Sequence, residues 1–469
     1  MRPRSLPSVL VLLAACSPGA PDTDGDQDTV DEPCALPAYD GIEGVSCDGD
    51  VARLQGTYLQ DLELDPQLAW VLVGGVFFGD PTTPVTLTIP AGTTIFGDSA
   101  TDGFLVIDRG SRILADGTAT DPIVFTSDKD PGSRARSDWG GLVINGQAPT
   151  NVCERPEDCP VPGEAGTGVY GGADADDDSG VLRFVRIEFA GTLINDRQEI
   201  NGLALQGVGR GTVVDQVHIH MAADDGIEMF GGTVDLRHIV STGAGDDGFD
   251  WTDGWTGRAQ HVVVQHHDDL GDNGIEADNN KDDFELLPWS EPTLRNVTLV
   301  KVRTPGRFTD GYGMLLRAGT AGHLHQLVVV NYPYGCANID DPSTFTHGID
   351  CDTSASNGSL EVSHAWFSCT DTVIPDQPFP TSDADFNDDQ EVCDIDVFFR
   401  TGNDGNTVSG EHHLRAPFDM VAPDWRPVDG APLLGVTVPA DADPWFEATD
   451  HLGAMGSENW ASWTTFAAD

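Results

Sequence analysis

An acidic phrase of five residues occurs three times near the middle of the chain. It reads Asp-Asp-Gly-Ile-Glu at 224–228, Asp-Asp-Gly-Phe-Asp at 246–250 and Asp-Asn-Gly-Ile-Glu at 272–276. The copies begin 22 and 26 residues apart, an interval typical of a solenoid in which each repeat forms one rung. Because stacked parallel strands lie about 4.8 Å apart, equivalent carboxylates on neighbouring rungs would form a column of like charge.

A column of carboxylates suits a divalent cation. Calcium takes about six to eight oxygen ligands, including carboxylates and backbone carbonyls. A bound ion would relieve the repulsion between the acids and stabilise the folded chain. We therefore expect a calcium site with the candidate ligands Asp224, Asp225, Glu228, Asp246, Asp247, Asp250, Asp272, Glu276 and Asp278.

Two other interpretations of the phrase stay open. In the first it is turn chemistry, since Asp and Asn bond their own backbone and Gly supplies a positive φ. That explains the glycines and the leading Asp, but not Asp225, Asp247 or the acid after the aliphatic residue. In the second it is catalytic, because paired carboxyls roughly 6.5–9.5 Å apart suit inverting glycoside hydrolysis.

Aromatic residues near the phrase bear on the catalytic interpretation. Trp251, Trp255 and Trp289 are candidates for stacking on sugar rings. The chain has no Gly-His-Gly, however, and no obvious Arg or Lys base follows the acids. We therefore assign no catalytic residue from the sequence.

Composition and charge exclude some partners. The 469 residues contain 24 Lys and Arg against 77 Asp and Glu, a formal net charge of -53. Such a chain repels nucleic acid and anionic membrane surfaces and attracts divalent cations. Hydrophobic residues make up 39% of the chain, so it can bury a core.

The N-terminus predicts export and lipidation. Arg2 and Arg4 precede an apolar run that ends in Leu13-Ala14-Ala15-Cys16, which is typical of a signal peptide and resembles a bacterial lipobox. The resemblance implies cleavage before Cys16 and a lipid on that cysteine. Ser17 after it favours the outer membrane, with the protein facing the periplasm or the cell surface. No other apolar run approaches the ~18 residues of a membrane span.

Eight cysteines remain once Cys16 is set aside. An even number in an exported chain predicts disulfides, although their connectivity does not follow from sequence alone. Pairing of neighbours along the chain gives Cys34–Cys47, Cys153–Cys159, Cys336–Cys351 and Cys369–Cys393.

A second repeat, a short β-like segment, predicts the fold. Its leading aliphatic residues are Val185, Val217, Ile239, Val262, Val297 and Leu327. The two tightest spacings are 22 and 23 residues, one bare rung each, and the longer ones add a surface loop. Aliphatics at this period stack inward as a continuous ladder. We expect an all-β, single-stranded, right-handed parallel β-helix.

The expected segments follow from changes in texture along the chain. They are a signal peptide at 1–15, an acidic tether at 16–33, a disulfide-stapled cap at 34–70, the β-helix at 71–422 with loops near 147–180, 277–293 and 333–357, and a capping segment over the last rung at 423–469.

Several stretches resemble a family of uncharacterised bacterial β-helix proteins, exported as lipoproteins or secreted surface proteins with a pectate-lyase-like fold. The similarity covers roughly residues 85–300 and the tail. It is carried by Ile113–Ser127, Trp139–Leu142, Ser179–Phe189, Glu199–Leu203, Gly207–Thr212, the acidic rungs through Asp250, Leu452–Gly456 and Trp460–Trp463. The resemblance implies the fold much more than an activity.

Together these patterns predict a calcium-stabilised lipoprotein of the bacterial outer membrane. Its expected role is non-enzymatic binding or scaffolding, with a polysaccharide or another surface protein as partner, a lipid anchor in the membrane and no nucleic acid. The alternative is a polysaccharide lyase or glycoside hydrolase that uses the stacked carboxylates.

Overall fold

Short strands run along the chain in a computed structural model that describes residues 38–39, 41–153, 155, 159–195, 198–307, 310–369, 395–439 and 442–466. The first ten are β1 (Val45–Asp48), β2 (Val51–Tyr58), β3 (Leu62–Glu63), β4 (Ala69–Phe78), β5 (Thr86–Ile89), β6 (Thr94–Gly97), β7 (Phe104–Ile107), β8 (Arg112–Asp116), β9 (Ile123–Ser127) and β10 (Gly141–Asn145). The central ones are β11 (Val161–Pro162), β12 (Val169–Tyr170), β13 (Gly180–Glu188), β14 (Thr192–Asn195), β15 (Gln198–Ile200), β16 (Leu203–Gln206), β17 (Val213–His220), β18 (Ile227–Phe230), β19 (Asp235–Thr242), β20 (Phe249–Thr252), β21 (Arg258–His266) and β22 (Ile275–Ala277).

The remaining elements include two short helices. The strands are β23 (Thr293–Lys301), β24 (Met314–Leu316), β25 (Gly322–Val330), β26 (Asn338–Ile339), β27 (Ile349–Asp350), β28 (Ala355–Ser356), β29 (Leu360–Ser363), β30 (Trp366–Ser368), β31 (Thr407–Val408), β32 (Leu414–Ala416) and β33 (Asp424–Pro427). The helices are α1 (Pro342–Gly348), α2 (Ile395–Arg400) and a 3-10 turn at Glu164–Gly166. Within the described ranges, no helix is long and apolar enough to span a membrane.

Each full rung crosses three parallel sheets. In sheet 1, β8 pairs with the first half of β13, and in sheet 2, β9 pairs with its second half. In sheet 3, β10 pairs with β16. The stacking continues rung by rung, from the rung that contains β17 and β18 to the rung that contains β25 and β26. This confirms the parallel β-helix predicted from the sequence.

The aliphatic ladder lies in sheet 2 as predicted. Val185 pairs with Val217, and the register continues through the equivalent residues of β19, β21, β23 and β25. All six residues are fully buried in one continuous core, which also contains Trp251 and Trp255. Stacked aliphatics therefore hold the rungs together along their whole length.

A bend separates sheet 1 from sheet 2 in six successive long strands. The residue before each ladder aliphatic adopts the left-handed conformation, with φ between 49° and 63°. The six residues are Phe184, Gln216, His238, His261, Asn296 and Gln326. Because they occupy one register position, their side chains form a second column, here called the bend column.

The tail of the chain lies along sheet 2. We call its described residues 412–439 and 442–466 the C-terminal strap. Strap residues such as Leu433 and Met455 pack on the outward valines of β19 to β25, for example Val263. Near its end Trp463 Nε1 donates to Gln216 Oε1 at 2.7 Å. The sequence predicted a segment folded over the last rung, whereas the strap runs lengthwise across many rungs.

The N-terminal part differs from its predicted boundaries. β2 already stacks in parallel on β4, so rungs begin at Val51, inside the 34–70 segment predicted as a cap. β1 pairs antiparallel with β2 and leads into this first rung. The signal peptide, Cys16 and the tether lie outside the described residues.

The disulfides confirm one predicted pair and correct two. Cys153 bonds Cys159 as expected. Cys336 bonds Cys369, so the predicted Cys336–Cys351 and Cys369–Cys393 pairs are wrong. Pairing of sequence neighbours failed because Cys336 and Cys369 meet across rungs, 33 residues apart. Cys47 and Cys351 are also disulfide-bonded, while Cys34 and Cys393 lie outside the described residues.

Candidate metal centre

The acidic phrases lie in register on the outer face of sheet 3. Glu228 pairs with Asp250, which pairs with Glu276. The same outward column has an apolar residue on either side of these acids, Ala204 before them and Leu315 after them. We call the surface formed by the nine candidate ligands, the eight acids of the phrases and Asp278, the acidic face.

The second residue of each phrase forms a ladder with the backbone of the next rung. Asp247 N–H donates to Asp225 Oδ1 at 2.8 Å, and Asn273 N–H donates to Asp247 Oδ1 at 2.5 Å. Tyr312 N–H donates to Asn273 Oδ1 at 2.9 Å. Turn chemistry thus engages one oxygen of the second acid, which the sequence left unexplained, and not only the leading Asp.

Glu228, Asp250 and Glu276 form a column on the strands, here called the strand column. Its carboxylates have hydrogen-bond partners among the described residues at the two ends of the column but not at its centre. Asn201 Nδ2 donates to Glu228 Oε2 at 2.6 Å, and Arg317 Nη2 donates to Glu276 Oε2 at 2.5 Å. Asp250 is 3% exposed, and its Oδ1 is buried without a hydrogen-bond partner in the described part of the chain. Such a buried oxygen needs a partner that the described residues do not supply.

The carboxylates converge on one another. Four groups place one oxygen of each member within 4.8 Å of the others: Asp224, Asp225 and Asp246; Asp225, Glu228 and Asp250; Asp246, Asp247 and Asp272; and Asp247, Asp250 and Glu276. The second and fourth groups are wholly buried and share Asp250. Oxygens from two adjacent rungs therefore surround common points, as ligands of one ion would.

The pKa values record the cost of this arrangement. Burial and then repulsion between carboxylates raise the pKa well above its usual range for Asp225, Glu228, Asp247 and Asp250. The same causes raise the pKa of Asp272 to about 7 and also raise the pKa of Glu276. Without a cation, protons must neutralise part of the acidic face.

Two cations lie at one edge of the acidic face. Arg317 Nε contacts Asp278 Oδ1 at 2.9 Å, and both side chains are largely buried. Lys281 Nζ lies 3.8 Å from Glu276 Oε2 and 3.7 Å from Asp278 Oδ2, on a side chain that is 60% exposed. The neighbouring acids raise the pKa of both basic groups, so both stay protonated beside them.

The structure brings all the predicted acids of the phrases together but excludes two of the three tryptophans predicted to stack on a ligand. Trp251 and Trp255 are fully buried in the core, so neither can stack on a ligand, and that prediction is wrong. Strand alternation explains Trp251, because its neighbour Asp250 faces outward. Trp289 lies in the loop before β23 and stacks on His347 with ring centroids 4.1 Å apart.

Sequence reasoning missed the polar partners of the acids. Asn201 and Asn273 hold the same register position as Asp225 and Asp247, a signal that alignment of the rungs could have revealed. Arg317 gave no such signal, because it reaches Asp278 across a long excursion between rungs.

The loop between β10 and β13 covers the neighbouring part of sheet 3. Its Tyr170 packs with Val143, Ala204 and Phe230 and donates its hydroxyl to Asp253 Oδ2 at 3.1 Å. Burial raises the pKa of Asp253 to about 6. The acidic face therefore begins where this apolar cover ends.

Comparisons with known proteins concern the solenoid. The family described as pectate-lyase like beta helix domain matches residues 56–407. Among solved structures, the chain is similar to the one titled "Crystal structure of pectate lyase Pel9A", at 12% identity and a TM-score of 0.38, over 82% of this chain and 88% of that one. No curated protein matches the chain.

Proposed function

The chain belongs to the family of pectate-lyase-like β-helix domains, and from its converging carboxylates we propose that its acidic face binds calcium. We further propose that the protein is a non-enzymatic binding or scaffolding module of the bacterial cell envelope. The observation that supports a bound cation concerns Asp250 Oδ1. This oxygen is buried where two carboxylate triads meet and has no hydrogen-bond partner among the described residues.

The donor set favours calcium over other metals. All the converging ligands are carboxylate oxygens, which suit hard cations, whereas transition metals favour nitrogen or sulfur. Magnesium demands near-ideal octahedral geometry and keeps several waters. Two triads that are buried and share one residue leave little room for those waters, so the more adaptable calcium fits better.

Turn chemistry alone does not account for the strand column. The backbone ladder occupies Oδ1 of Asp225 and Asp247 but does not reach Glu228, Asp250 or Glu276. A proton neutralises one carboxyl, whereas a divalent ion neutralises two charges and joins two rungs. A bound cation therefore explains why three buried acids stack on adjacent rungs.

The envelope role rests on the N-terminus and the charge. The lipobox ending at Cys16 and the net charge of -53 support an outer-membrane lipoprotein whose partners are a polysaccharide or another surface protein. In the native host, Cys16→Ala should abolish lipid labelling and release the protein from the membrane fraction. Retention of Cys16→Ala with the membranes would contradict the anchor.

Thermal melting tests the cation directly. We expect the midpoint to rise in millimolar calcium and to fall in a chelator, because an ion that binds only the folded chain stabilises it. Magnesium and potassium at equal ionic strength serve as controls for general screening. An unchanged midpoint on chelation would sink the calcium proposal.

One observation favours an enzyme as the second candidate. Lys281 and Arg317 stand beside the stacked acids, where their positive charge could attract an anionic glycan. Their raised pKa values disfavour a general base, however, and Trp251 and Trp255 are buried. Turnover of a glycan panel that is lost in Asp250→Asn would establish this alternative, while turnover that survives would remove the acidic face from it.

A further inference from the structure

A cavity, here called the strap cavity, lies away from the acidic face, between the C-terminal strap and the bend column. It encloses about 500 Å³ and is lined by His238 and His261 of the wall and by strap residues that include His451 and Trp460. The strap is firmly held here, since Asn296 Nδ2 donates to His451 O at 3.1 Å. The cavity is thus part of the packed fold and not the margin of a loose tail.

Aromatic rings form one side of this strap cavity. His238 and His261 stack with ring centroids 4.9 Å apart and planes at 7°. Trp460 meets His238 edge-on at 5.0 Å, and His451 continues the stack beyond His261 at 6.3 Å. Rings fixed in this way offer a preorganised apolar surface, which favours binding because little freedom remains to be lost.

Hydrogen bonds orient two histidine rings of the cavity wall. His261 Nδ1 lies 3.0 Å from Ala454 O, and His238 Nδ1 lies 2.8 Å from Asp215 Oδ1. Because Ala454 O can only accept a hydrogen bond, His261 Nδ1 carries the proton and His261 Nε2 keeps a lone pair. Burial lowers the pKa of His261 to about 3 and also lowers that of His451, so these rings are neutral at pH 7.

The remaining polar lining is acidic or hydroxylic. Glu458 and Asp450 are exposed at the rim, and Thr449 and Ser457 add hydroxyls. None of the described lining residues is Lys or Arg. A ligand that brings hydrogen-bond donors therefore suits this lining, and an anionic ligand would be repelled.

We propose that the strap cavity binds a pyranose ring of a neutral or amino sugar. Its C–H face would lie on the aromatic rings, and its hydroxyl or ammonium groups would donate to His261 Nε2 and the rim carboxylates. The inference uses the binding role proposed above but not the cation. Sugar binding can therefore succeed or fail independently of calcium.

Titration calorimetry of the full chain in chelator tests this site. The probes are a glucosamine trimer, a glucose trimer, a galacturonate trimer and tetramethylammonium. We expect the glucosamine trimer to bind best, the glucose trimer more weakly and the galacturonate trimer not at all. Binding of the galacturonate trimer or tetramethylammonium alone, or of no probe, overturns the proposal.

Variants place the binding in the cavity. Trp460→Leu should weaken binding of both accepted sugars about tenfold, the loss expected for one aromatic stack. Trp463→Leu is the matched control, because it removes a strap tryptophan outside the cavity lining, and it should bind as the wild type does. Equal loss in both variants would mean that only strap docking was disturbed.

A rim variant keeps the test independent of folding. Glu458→Gln removes one exposed charge and should lower affinity for the glucosamine trimer more than for the glucose trimer, because only the former brings a positive charge. If both sugars lose affinity equally, or if neither does, the assigned role of the rim carboxylates is wrong.

Discussion

The outer faces of sheets 2 and 3 carry opposite chemistry on the same rungs. On sheet 2, β19 to β25 stack outward valines such as Val240 and Val263, and the C-terminal strap packs over them. On sheet 3, β18 to β22 stack Glu228, Asp250 and Glu276 in one column. One column meets apolar side chains of its own chain, while the other meets mainly more carboxylates.

The contrast shows what a solenoid does with a repeated residue. Stacking multiplies whatever the repeat places outward, so an apolar residue becomes an apolar stripe and an acid becomes a charged one. The apolar stripe is stabilised by burial under the strap. The acidic column has Arg317 and Asn201 at its ends but no described partner for Asp250 Oδ1 at its centre, so we expect a partner from outside the chain.

Replacing an outward valine of sheet 2 by an acid should change the free energy of unfolding most, whereas the reverse replacement on sheet 3 should not. Val263→Asp buries an unpaired charge beneath the strap and should lower the free energy of unfolding by about 4 kcal/mol or more. Asp250→Val removes a buried charge and should be neutral or stabilising in chelator. Denaturant unfolding of both variants measures this, and equal losses would mean that the two faces do not differ as described.

Removing the main internal cation should be the next largest effect. Arg317→Met leaves Glu276 and Asp278 with only the more exposed Lys281 as a cationic neighbour among the described residues. Breaking such a largely buried group should lower the free energy of unfolding by about 3 kcal/mol in chelator. Arg415→Met is the control, since its partner Asp429 is 96% exposed, and should cost under about 0.5 kcal/mol. Calcium should restore part of the Arg317→Met loss.

The cation effect itself should be of intermediate size. Calcium at about a hundred times its dissociation constant should raise the free energy of unfolding by about 2.7 kcal/mol in the wild type. Asp250→Asn should lose most of that gain, because Asp250 is shared by both buried triads. An Asp429→Asn control should keep it. A full calcium response in Asp250→Asn would place the ion elsewhere.

The pH dependence should give the smallest effect. Burial raises the pKa of Asp272 to about 7, so the metal-free folded chain holds a proton that the unfolded chain has lost. Its stability should therefore fall as the pH rises from about 6.5 to 8, by on the order of 1 kcal/mol from Asp272 alone. Saturating calcium should remove this fall.

The window above pH 6.5 is chosen because histidines oppose the trend below it. Burial lowers the pKa of His261 and His266 to about 3 and that of His267 to about 4. These groups make the folded chain more stable as the pH rises towards 6.5 and contribute little above it. Metal-free stability that rises between pH 6.5 and 8 would contradict the raised carboxyl pKa values.

The sequence predicted what periodicity controls. The ladder from Val185 to Leu327 and the register of Glu228, Asp250 and Glu276 follow from one repeat length, because stacking transmits register from rung to rung. Strand alternation next to the outward Asp250 also indicated that Trp251 points into the core, although the prediction overlooked this.

The remaining features depend on contacts distant in sequence. Cys336 bonds Cys369 across rungs, and Trp463 reaches Gln216 over 247 residues. The strap has no repeat of its own, so no register fixes its course. The cavity between His238 and Trp460 forms only where the strap packs on the wall, so no local sequence pattern predicts it.

Counting bound ions tests the acidic face most directly. Wild type and Asp250→Asn would be equilibrated with calcium, dialysed into metal-free buffer and analysed for metal per chain. We predict at least one retained calcium per wild-type chain and a loss of one or more in Asp250→Asn. No retained calcium in the wild type, or equal counts in both proteins, would contradict a cation held between the stacked carboxylates.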